Sequence, residues 1–483
     1  MRFASRHALA TRLTRLALAA TVALGVTTAG AGPARALSQV GPWIDAVSPS
    51  GATISFTANA TSATVDYGHT TAYELGSASG GPAPIDNTFN AFTNAFGNKF
   101  EIALTGLTAA SHYEYRVRVG ATTFASGSFD TAKVGPSSFT FVALGDSREG
   151  LNADNQRVRD CVLGDSPTYG PYSFLLNTGD LQDANNATTW QNFFEIESVN
   201  ATSPVGKGAL YLNTIPFFPA RGNHDFTQIW YNNFFAPPSF NSGNEDYYSF
   251  DYGSMHVIAL NANVAAGPAD PQTQFLEADL LAQKNAGYPG PIVAFFHQAG
   301  VSSANHGNTN SVKNNWFPIF QEYGVDLVFQ GHDHVYERFA TINGVNYVTA
   351  GGSGADLYNI TPSAWTAVGL KTHNYVLVDV NGQNVSVTAK NDSCSVIDAF
   401  SINAAANNGV YHRTDPFPAD AGKSGGCKRR RRGGARRGRP RVGAGTAGAR
   451  GAAPSARLIV ASFHTHGAVP ERVPPRFAPT PPR

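Results

Sequence analysis

The sequence predicts an all-β sandwich followed by a larger α/β domain in which helices flank two mixed sheets. Short alternating strands separated by Gly, Ser, Thr and Pro turns occupy residues 39–131. From residue 139 onward, buried apolar runs are interspersed with helical patterns. The chain has 483 residues, of which 42% are hydrophobic. That length and composition suffice for two or three domains with buried cores.

Composition and charge divide the chain into four segments. Residues 1–36 contain five Arg and no acid, whereas residues 421–483 contain 15 basic residues and one acid. The body between them has 15 basic and 33 acidic residues and is therefore strongly acidic, although the whole chain carries only +1. We assign residues 1–36, 37–132, 133–413 and 414–483 to a leader, the sandwich, the α/β domain and a tail.

The first segment has the pattern of a secretory signal peptide. Basic residues precede an apolar run over residues 16–26, and Ala34-Arg35-Ala36 follows it. No later run reaches the roughly 18 apolar residues that a membrane helix needs. We therefore expect a soluble protein secreted to the extracellular space or periplasm, with an N-terminal membrane anchor as the alternative.

The last segment, residues 414–483, is rich in Gly, Ala, Arg and Pro and is predicted to be disordered. Its basic run at residues 428–432 suits contact with an anionic surface, and the alternative is a product of a shifted reading frame. No specific nucleic-acid partner is predicted. Of the three cysteines, Cys394 and Cys427 are a candidate pair with Cys161 left in the core, which the sequence does not decide.

The sandwich is predicted from strands with no helix between them, at residues 52–57, 63–67, 100–104, 113–119 and 127–130. Residues 104–107, followed by Tyr113 and Tyr115, resemble the end of a fibronectin type III domain. Because this segment contains no cluster of titratable groups, we expect it to be a spacer or packing platform. Carbohydrate binding is the alternative.

The α/β domain is predicted from its apolar runs and its helical patterns. Helices are expected at residues 272–284 and 313–323, and a second group of strands at 247–252, 255–260, 345–350 and the hairpin 375–380 with 385–390. Five buried strands are expected at residues 139–144, 174–176, 215–218, 292–296 and 325–329.

Polar residues follow each of the five buried strands. Ligands bind beyond the carboxyl ends of strands in α/β sheets, so we expect these termini to converge on one crevice. The glycines let the backbone approach a ligand without a Cβ in the way. In chain order the motifs are Gly145-Asp146, Gly179-Asp180, Gly222-Asn223-His224-Asp225, His297 and Gly331-His332-Asp333-His334.

Together, in this order, the motifs resemble those of the calcineurin-like metallophosphoesterases, and most closely those of the purple acid phosphatases. Residues 325–338 contain a segment very similar to the G-H-x-H-x-Y-E-R signature of these phosphatases. The upstream sandwich is also similar to the domain that these enzymes carry. The resemblance therefore covers residues 39–400.

This resemblance implies a site for two metal ions. Asp146, Asp180 and His334 would hold the first ion; Asp180, Asn223, His297 and His332 would hold the second, with Asp180 bridging. Mixed carboxylate and imidazole ligands suit Fe, Mn or Zn. Such a pair clamps phosphoryl oxygens and activates a metal-bound hydroxide for in-line attack.

Four residues are implied to act on the substrate or its neighbours. His224 and His306 would contact phosphate or protonate the leaving oxygen, and Asn223 would also face the substrate. Asp225 would orient His224 from behind.

Two departures from the family pattern affect the first metal. Asp183 stands where the purple enzymes have a tyrosine, and Arg148 stands where the superfamily has the histidine of D-x-H. Either Asp183 or water completes the ligand shell, or the ion binds weakly, and no purple colour is expected. Arg148 either clamps phosphate by paired hydrogen bonds or forms a salt bridge with a neighbouring acid.

The sequence therefore predicts a secreted hydrolase of small phosphomonoesters that resembles an acid phosphatase. A phosphodiesterase or nucleotidase with the same metal pair is the close alternative. A non-catalytic surface or adhesion protein that has kept the fold is the alternative from another class.

Overall fold

The computed structural model describes residues 40–86, 91–148, 153–194, 212–225, 230–235, 242, 245–264, 266–288, 290–407 and 412–417. The predicted signal peptide, the basic tail beyond residue 417 and Cys427 lie outside these residues.

Twenty strands are assigned within the described residues. In chain order they are β1 Trp43–Ser48, β2 Gly51–Ala58, β3 Ala63–Gly68, β4 Gly76–Gly80, β5 Asn98–Thr105, β6 His112–Val119, β7 Thr122–Asp130, β8 Ser138–Leu144, β9 Leu175–Asn177, β10 Phe217–Pro219, β11 Tyr248–Tyr252, β12 Met255–Ala259, β13 Ile292–Gln298, β14 Leu327–Gly331, β15 Tyr336–Phe339, β16 Asn346–Ala350, β17 Thr366–Leu370, β18 Asn374–Asn381, β19 Asn384–Asn391 and β20 Val396–Asn403.

Seven α-helices accompany these strands in the described part of the chain. They are α1 Ala91–Phe96, α2 Ala153–Tyr169, α3 Ala187–Phe194, α4 Trp230–Phe234, α5 Pro271–Asn285, α6 Asn310–Asn315 and α7 Phe317–Tyr323. None of them has the length and apolar character needed to cross a bilayer.

The N-terminal domain consists of two antiparallel sheets. One has the order β1-β2-β5 and the other the order β4-β3-β6-β7. Residues alternate along β6, where Tyr113, Tyr115 and Val117 are buried in a cluster that also contains residues of β2 and β5. The expectation that no helix interrupts this segment is wrong, because α1 precedes β5 and buries Phe92 and Phe96. The likeness to a fibronectin type III domain stays a prediction.

The larger domain has two mixed sheets with helices, as the sequence predicts. The first sheet has the order β10-β9-β8-β18-β19-β20 and the second the order β11-β12-β13-β14-β16-β15-β17. The two sheets share one hydrophobic cluster, in which the ring of Phe218 stacks on that of Phe250 with centroids 3.9 Å apart. Strands with both faces covered are apolar along their whole length, which explains their continuous hydrophobic runs.

Parallel pairing fixes where the motifs meet. In the first sheet β8, β9 and β10 run parallel, and in the second β12, β13, β14 and β16 do. The carboxyl ends of each set therefore lie along one edge of their sheet.

The sequence predicts two helices in the larger domain. The structure has the first of them, and it divides the second into two shorter helices. The helix expected at 272–284 is α5, which begins after Asp270, whose carboxylate accepts the Gln272 amide at 3.0 Å. The helix expected at 313–323 is divided at Trp316 into α6 and α7. Pro318 at the start of α7 suits a new helix start better than a helix interior.

A disulfide joins Cys161 of α2 to Cys394 in the turn between β19 and β20. The alternative pairing of Cys394 with Cys427 is therefore wrong, and Cys161 is not a free core thiol. The bond connects residues 233 positions apart, and it ties the helix that follows the first motif to the first sheet.

We expect Cys394→Ser to lower the free energy of unfolding by roughly 2–5 kcal/mol, because the bond restricts a long loop of the unfolded chain. Cys394 is exposed, so the serine itself adds little cost, and Cys161 remains as a small buried side chain. Urea unfolding of the oxidised wild type and the variant measures the difference, and reduced wild-type protein should match the variant. Equal midpoints for all three samples would contradict the prediction.

Candidate metal centre

The predicted site residues lie where strands end, and four of them have an unusual backbone conformation. Asp146 and Arg148 follow β8, Asp180 follows β9 and His332 follows β14, with φ values of 56°, 25°, 53° and 70°, respectively. Left-handed conformations cost a non-glycine residue roughly 1–3 kcal/mol each, and they concentrate at functional sites. Backbone strain therefore coincides with the predicted site.

Two glycines allow the strand ends to approach each other. A Cβ on Gly222 would lie 2.1 Å from Oδ1 of Asp180, and one on Gly331 would lie 2.5 Å from Oδ2 of Asp146. Neither position has room for a side chain. These two glycines are thus required by the carboxylates packed against them.

The ligands predicted for the second metal lie close together. One donor atom from each of Asp180, His297 and His332 lies within 4.8 Å of the other two. Nε2 of His297 is 3.3 Å from Oδ1 of Asp180 and 3.0 Å from Oδ1 of Asn223. The structure therefore brings all four of these residues to one place, with Asp180 and His297 fully buried.

Asp146 and His334, which are predicted for the first metal, lie beside this group. Nε2 of His334 is 3.5 Å from Oδ1 of Asp146, and both side chains are buried. The backbone amide of His332 donates to both carboxylate oxygens of Asp146, at 3.1 and 3.0 Å. The two groups are therefore joined through one residue of the His332–His334 motif.

Backbone carbonyls fix the orientation of two of the imidazoles. Nδ1 of His297 faces the carbonyl of Thr178 at 3.0 Å, and Nδ1 of His334 faces that of Asp356 at 2.7 Å. A carbonyl only accepts, so in each ring Nδ1 carries the proton. Metal-ligating histidines commonly donate one ring N–H to such a carbonyl, and here Nε2 is the nitrogen that faces the carboxylates.

The electrostatics of the site suit cations. Burial alone would lower the pKa of His297, but the charges of Asp180 and Asp146 outweigh it and raise the value to about 9. Burial and the neighbouring histidines lower the pKa of His332 to about 3, so this imidazole is neutral at physiological pH. Carboxylate and imidazole donors that converge in a buried crevice fit a bound metal ion.

Asp183, the further candidate ligand, is engaged elsewhere. Its Oδ1 accepts a hydrogen bond from Nη2 of Arg148 at 2.6 Å, with the two side chains 32% and 19% exposed. The two departures from the family pattern therefore contact each other. Of the alternatives for Arg148, the salt bridge is the arrangement observed.

His224 lies between this ion pair and Asp180. Its backbone amide donates to Oδ1 of Asp180 at 2.9 Å, and its ring Nδ1 hydrogen-bonds to the carbonyl of Asp183. Nε2 lies 2.7 Å from Nη2 of Arg148. A guanidinium only donates, so Nε2 accepts from it, and both ring nitrogens are occupied.

Asp225 braces the loops and does not orient the ring of His224 as expected. Its carboxylate accepts the amides of Leu181 at 3.2 Å and Gly222 at 3.1 Å, and the side-chain amide of Gln182 at 3.2 Å. Burial, followed by the charge of Asp180, raises its pKa to about 6. Asp225 therefore connects the second and third motifs.

His306 lies at the rim of the site. Its side chain is exposed, and its ring stacks on His332 with centroids 4.0 Å apart. Its backbone amide donates to Oδ1 of Asp333 at 2.8 Å. Among the described residues, no hydrogen-bond partner is found for its ring nitrogens.

One residue of the site was missed by the sequence analysis. Tyr358 stacks on His334 with centroids 4.0 Å apart and contacts His306 edge to face at 5.2 Å. It lies in the loop after β16, which is a parallel neighbour of β14. Residues that follow the carboxyl end of a parallel strand are expected at the site, and this applies to β16 as well. The glycines Gly351 and Gly352 mark the end of this strand in the sequence.

Comparisons with known proteins identify the relatives of this site. Residues 139–336 match the family model of the calcineurin-like phosphoesterases. A purple acid phosphatase of Glycine max is 26% identical over 303 residues, covering 58% of this chain and 61% of that protein. An uncharacterized protein of Mycobacterium tuberculosis is 30% identical over 280 residues, covering 50% of each chain.

A solved structure shares the fold. Purple acid phosphatase PPD1 from yellow lupin (Lupinus luteus) seeds superposes with a TM-score of 0.65 at 19% identity, covering 79% of this chain and 77% of that one. The larger domain thus has the metallophosphoesterase fold. The chain spans about half the length of the first curated relatives that it matches.

Proposed function

We propose, from the match of residues 139–336 to the family model of the calcineurin-like phosphoesterases, that the protein is a metal-dependent hydrolase of phosphomonoesters of the acid phosphatase type. The observation that carries the proposal is the convergence of Asp180, His297 and His332 within 4.8 Å, beside the Asp146–His334 pair. The hydrogen-bonded residues Asp146 and His332, for example, are 186 positions apart in the chain.

We propose that these residues hold two metal ions. Asp146 and His334 would hold one, Asn223, His297 and His332 the other, and Asp180 would bridge them. When bound, such ions polarise phosphoryl oxygens and lower the pKa of a water for attack. Because Asp183 is paired with Arg148, we assign no ligand role to Asp183.

The remaining residues of the site position the substrate and move protons. Arg148 has a buried Nε without a hydrogen-bond partner in the described residues. Its guanidinium would donate to a phosphate oxygen, held in place by Asp183 and by Nε2 of His224. His306, whose ring nitrogens are free of such contacts, would protonate the leaving oxygen.

We also propose that the protein acts after export. The Cys161–Cys394 disulfide supports this, because such bonds persist in oxidising compartments. The acidic body would repel anionic substrates at long range, so their attraction would depend on the cations and Arg148.

Turnover tests the proposed function against its alternatives. We expect purified protein supplied with Mn, Fe or Zn to hydrolyse p-nitrophenyl phosphate, and to lose this activity when a chelator removes the metal. Faster hydrolysis of bis(p-nitrophenyl) phosphate would favour a phosphodiesterase. No metal-dependent hydrolysis of either compound would favour the non-catalytic surface protein.

We expect Arg148→Ala to raise KM for p-nitrophenyl phosphate about tenfold, since a hydrogen bond to a charged group is lost. Arg148→Lys should recover only part of the affinity, because an ammonium keeps the charge but not the paired donors. Initial-rate kinetics at fixed metal concentration measure both variants. Kinetics unchanged from the wild type would leave Arg148 with the salt bridge to Asp183 alone.

A further inference from the structure

Tyr358 has contacts on two sides of the metal centre. One face of its ring lies on His334 at an interplanar angle of 17°, and the rings of Tyr358 and His306 meet edge to face. Its backbone amide donates to the carbonyl of His334 at 3.1 Å. The ring is therefore held against a predicted metal ligand and beside the predicted proton donor.

The hydroxyl of Tyr358 lies beside Arg148. Burial raises the pKa of the phenol, and the charge of the neighbouring guanidinium acts against that rise. Because a guanidinium only donates, the phenol oxygen can only accept from it. The phenol hydrogen is then available for another acceptor, and the positive charge beside the oxygen strengthens it as a donor.

Tyr358 is only half-buried, whereas Asp146 and His334 beneath it are fully buried. Its hydroxyl and the guanidinium of Arg148 thus form a pair of donors at the open side of the Asp146–His334 pair. Two donors of this kind, one of them charged, match the oxygens of a phosphate group.

We propose that Tyr358 is a substrate-binding residue whose hydroxyl, together with the guanidinium of Arg148, donates hydrogen bonds to phosphate oxygens. The inference rests on the proposed function for the identity of the substrate. It gives Arg148 a partner in phosphate recognition. It also means that an arginine and a tyrosine from separate loops occupy the side of the site where this chain departs from the family pattern.

Calorimetric titration of inorganic phosphate into the Mn-loaded protein tests this inference. Tyr358→Phe keeps the ring on His334 and removes only the hydroxyl. We expect the variant to bind phosphate about tenfold more weakly, with unchanged metal content and KM for p-nitrophenyl phosphate raised about tenfold. The matched control is Tyr73→Phe, since Tyr73 is a half-buried tyrosine whose ring face lies on Arg116 in the N-terminal domain.

The outcomes separate this inference from the proposed function. If the wild type hydrolyses the substrate, and Tyr358→Phe binds phosphate with an affinity within twofold of the wild type, the inference alone is overturned. Loss of metal from the variant would also overturn it, because Tyr358 would then serve to support His334. The wild type could bind phosphate and hydrolyse nothing, while the variant binds phosphate more weakly. That result would support the inference and count against the proposed function. A wild type that binds no phosphate would overturn the inference.

Discussion

Asp180→Asn is expected to lower kcat/KM for p-nitrophenyl phosphate by about 10³-fold or more, with loss of bound metal. Asp180 lies between His297 and His224, and its carboxylate is the proposed bridge between the two ions. Asparagine has nearly the same shape but no charge. The variant therefore removes the negative charge that both cations would share and leaves the packing in place. Elemental analysis together with initial rates measures the effect.

Asp379→Asn is the matched control for this prediction. Asp379 lies in β18, where its carboxylate accepts a hydrogen bond from Thr140 at 2.6 Å, and the substitution makes the same change of charge outside the site. It should leave both metal content and rates unchanged.

His332→Ala is expected to abolish activity for the same reason as Asp180→Asn, since it removes a second proposed ligand. Rates like those of the wild type in both site variants would refute the site.

The sequence predicted most of the larger domain because its strands are covered on both faces. Short continuous apolar runs that end at Gly and polar residues predict buried strands. The runs at β8 and β13 are of this kind. Helix α2 was not predicted, because Gly164 and Pro167 interrupt its pattern. Strand β4 consists of Gly, Ser and Ala alone, so neither hydrophobic alternation nor β-propensity marks it.

A site residue could be predicted where two conditions are met: its side chain can ligate a metal ion, and it follows the end of a buried strand. Asp146, Asp180 and His332 satisfy both conditions, and the structure places them together. The pairing of Arg148 with Asp183 could not be predicted, since the two residues are 35 positions apart and either one suits several partners. Tyr358 was missed because a tyrosine in a glycine-rich loop carries no pattern. Its position follows only from the parallel pairing of β16 with β14.

His306→Gln is expected to slow hydrolysis of an alkyl phosphate such as glycerol phosphate by about 10²–10³-fold, and that of p-nitrophenyl phosphate much less. An alkoxide needs a proton as it leaves, whereas nitrophenolate leaves as a stable anion. His306 is exposed, stacked on His332 and free of ring hydrogen bonds within the described residues, so its nitrogens can reach a leaving group. Glutamine keeps a polar side chain there but cannot transfer the proton.

His224→Gln is the variant that discriminates between the two histidines proposed for this role. Both ring nitrogens of His224 are already occupied, Nδ1 by the carbonyl of Asp183 and Nε2 by Arg148. A ring nitrogen that accepts a hydrogen bond has no proton to give at that atom. We therefore expect His224→Gln to slow both substrates by similar factors, through a misplaced Arg148. If the loss of rate depends on the leaving group in His224→Gln but not in His306→Gln, the assignment of the proton donor is reversed. Arg148 would then have to leave His224 when phosphate binds.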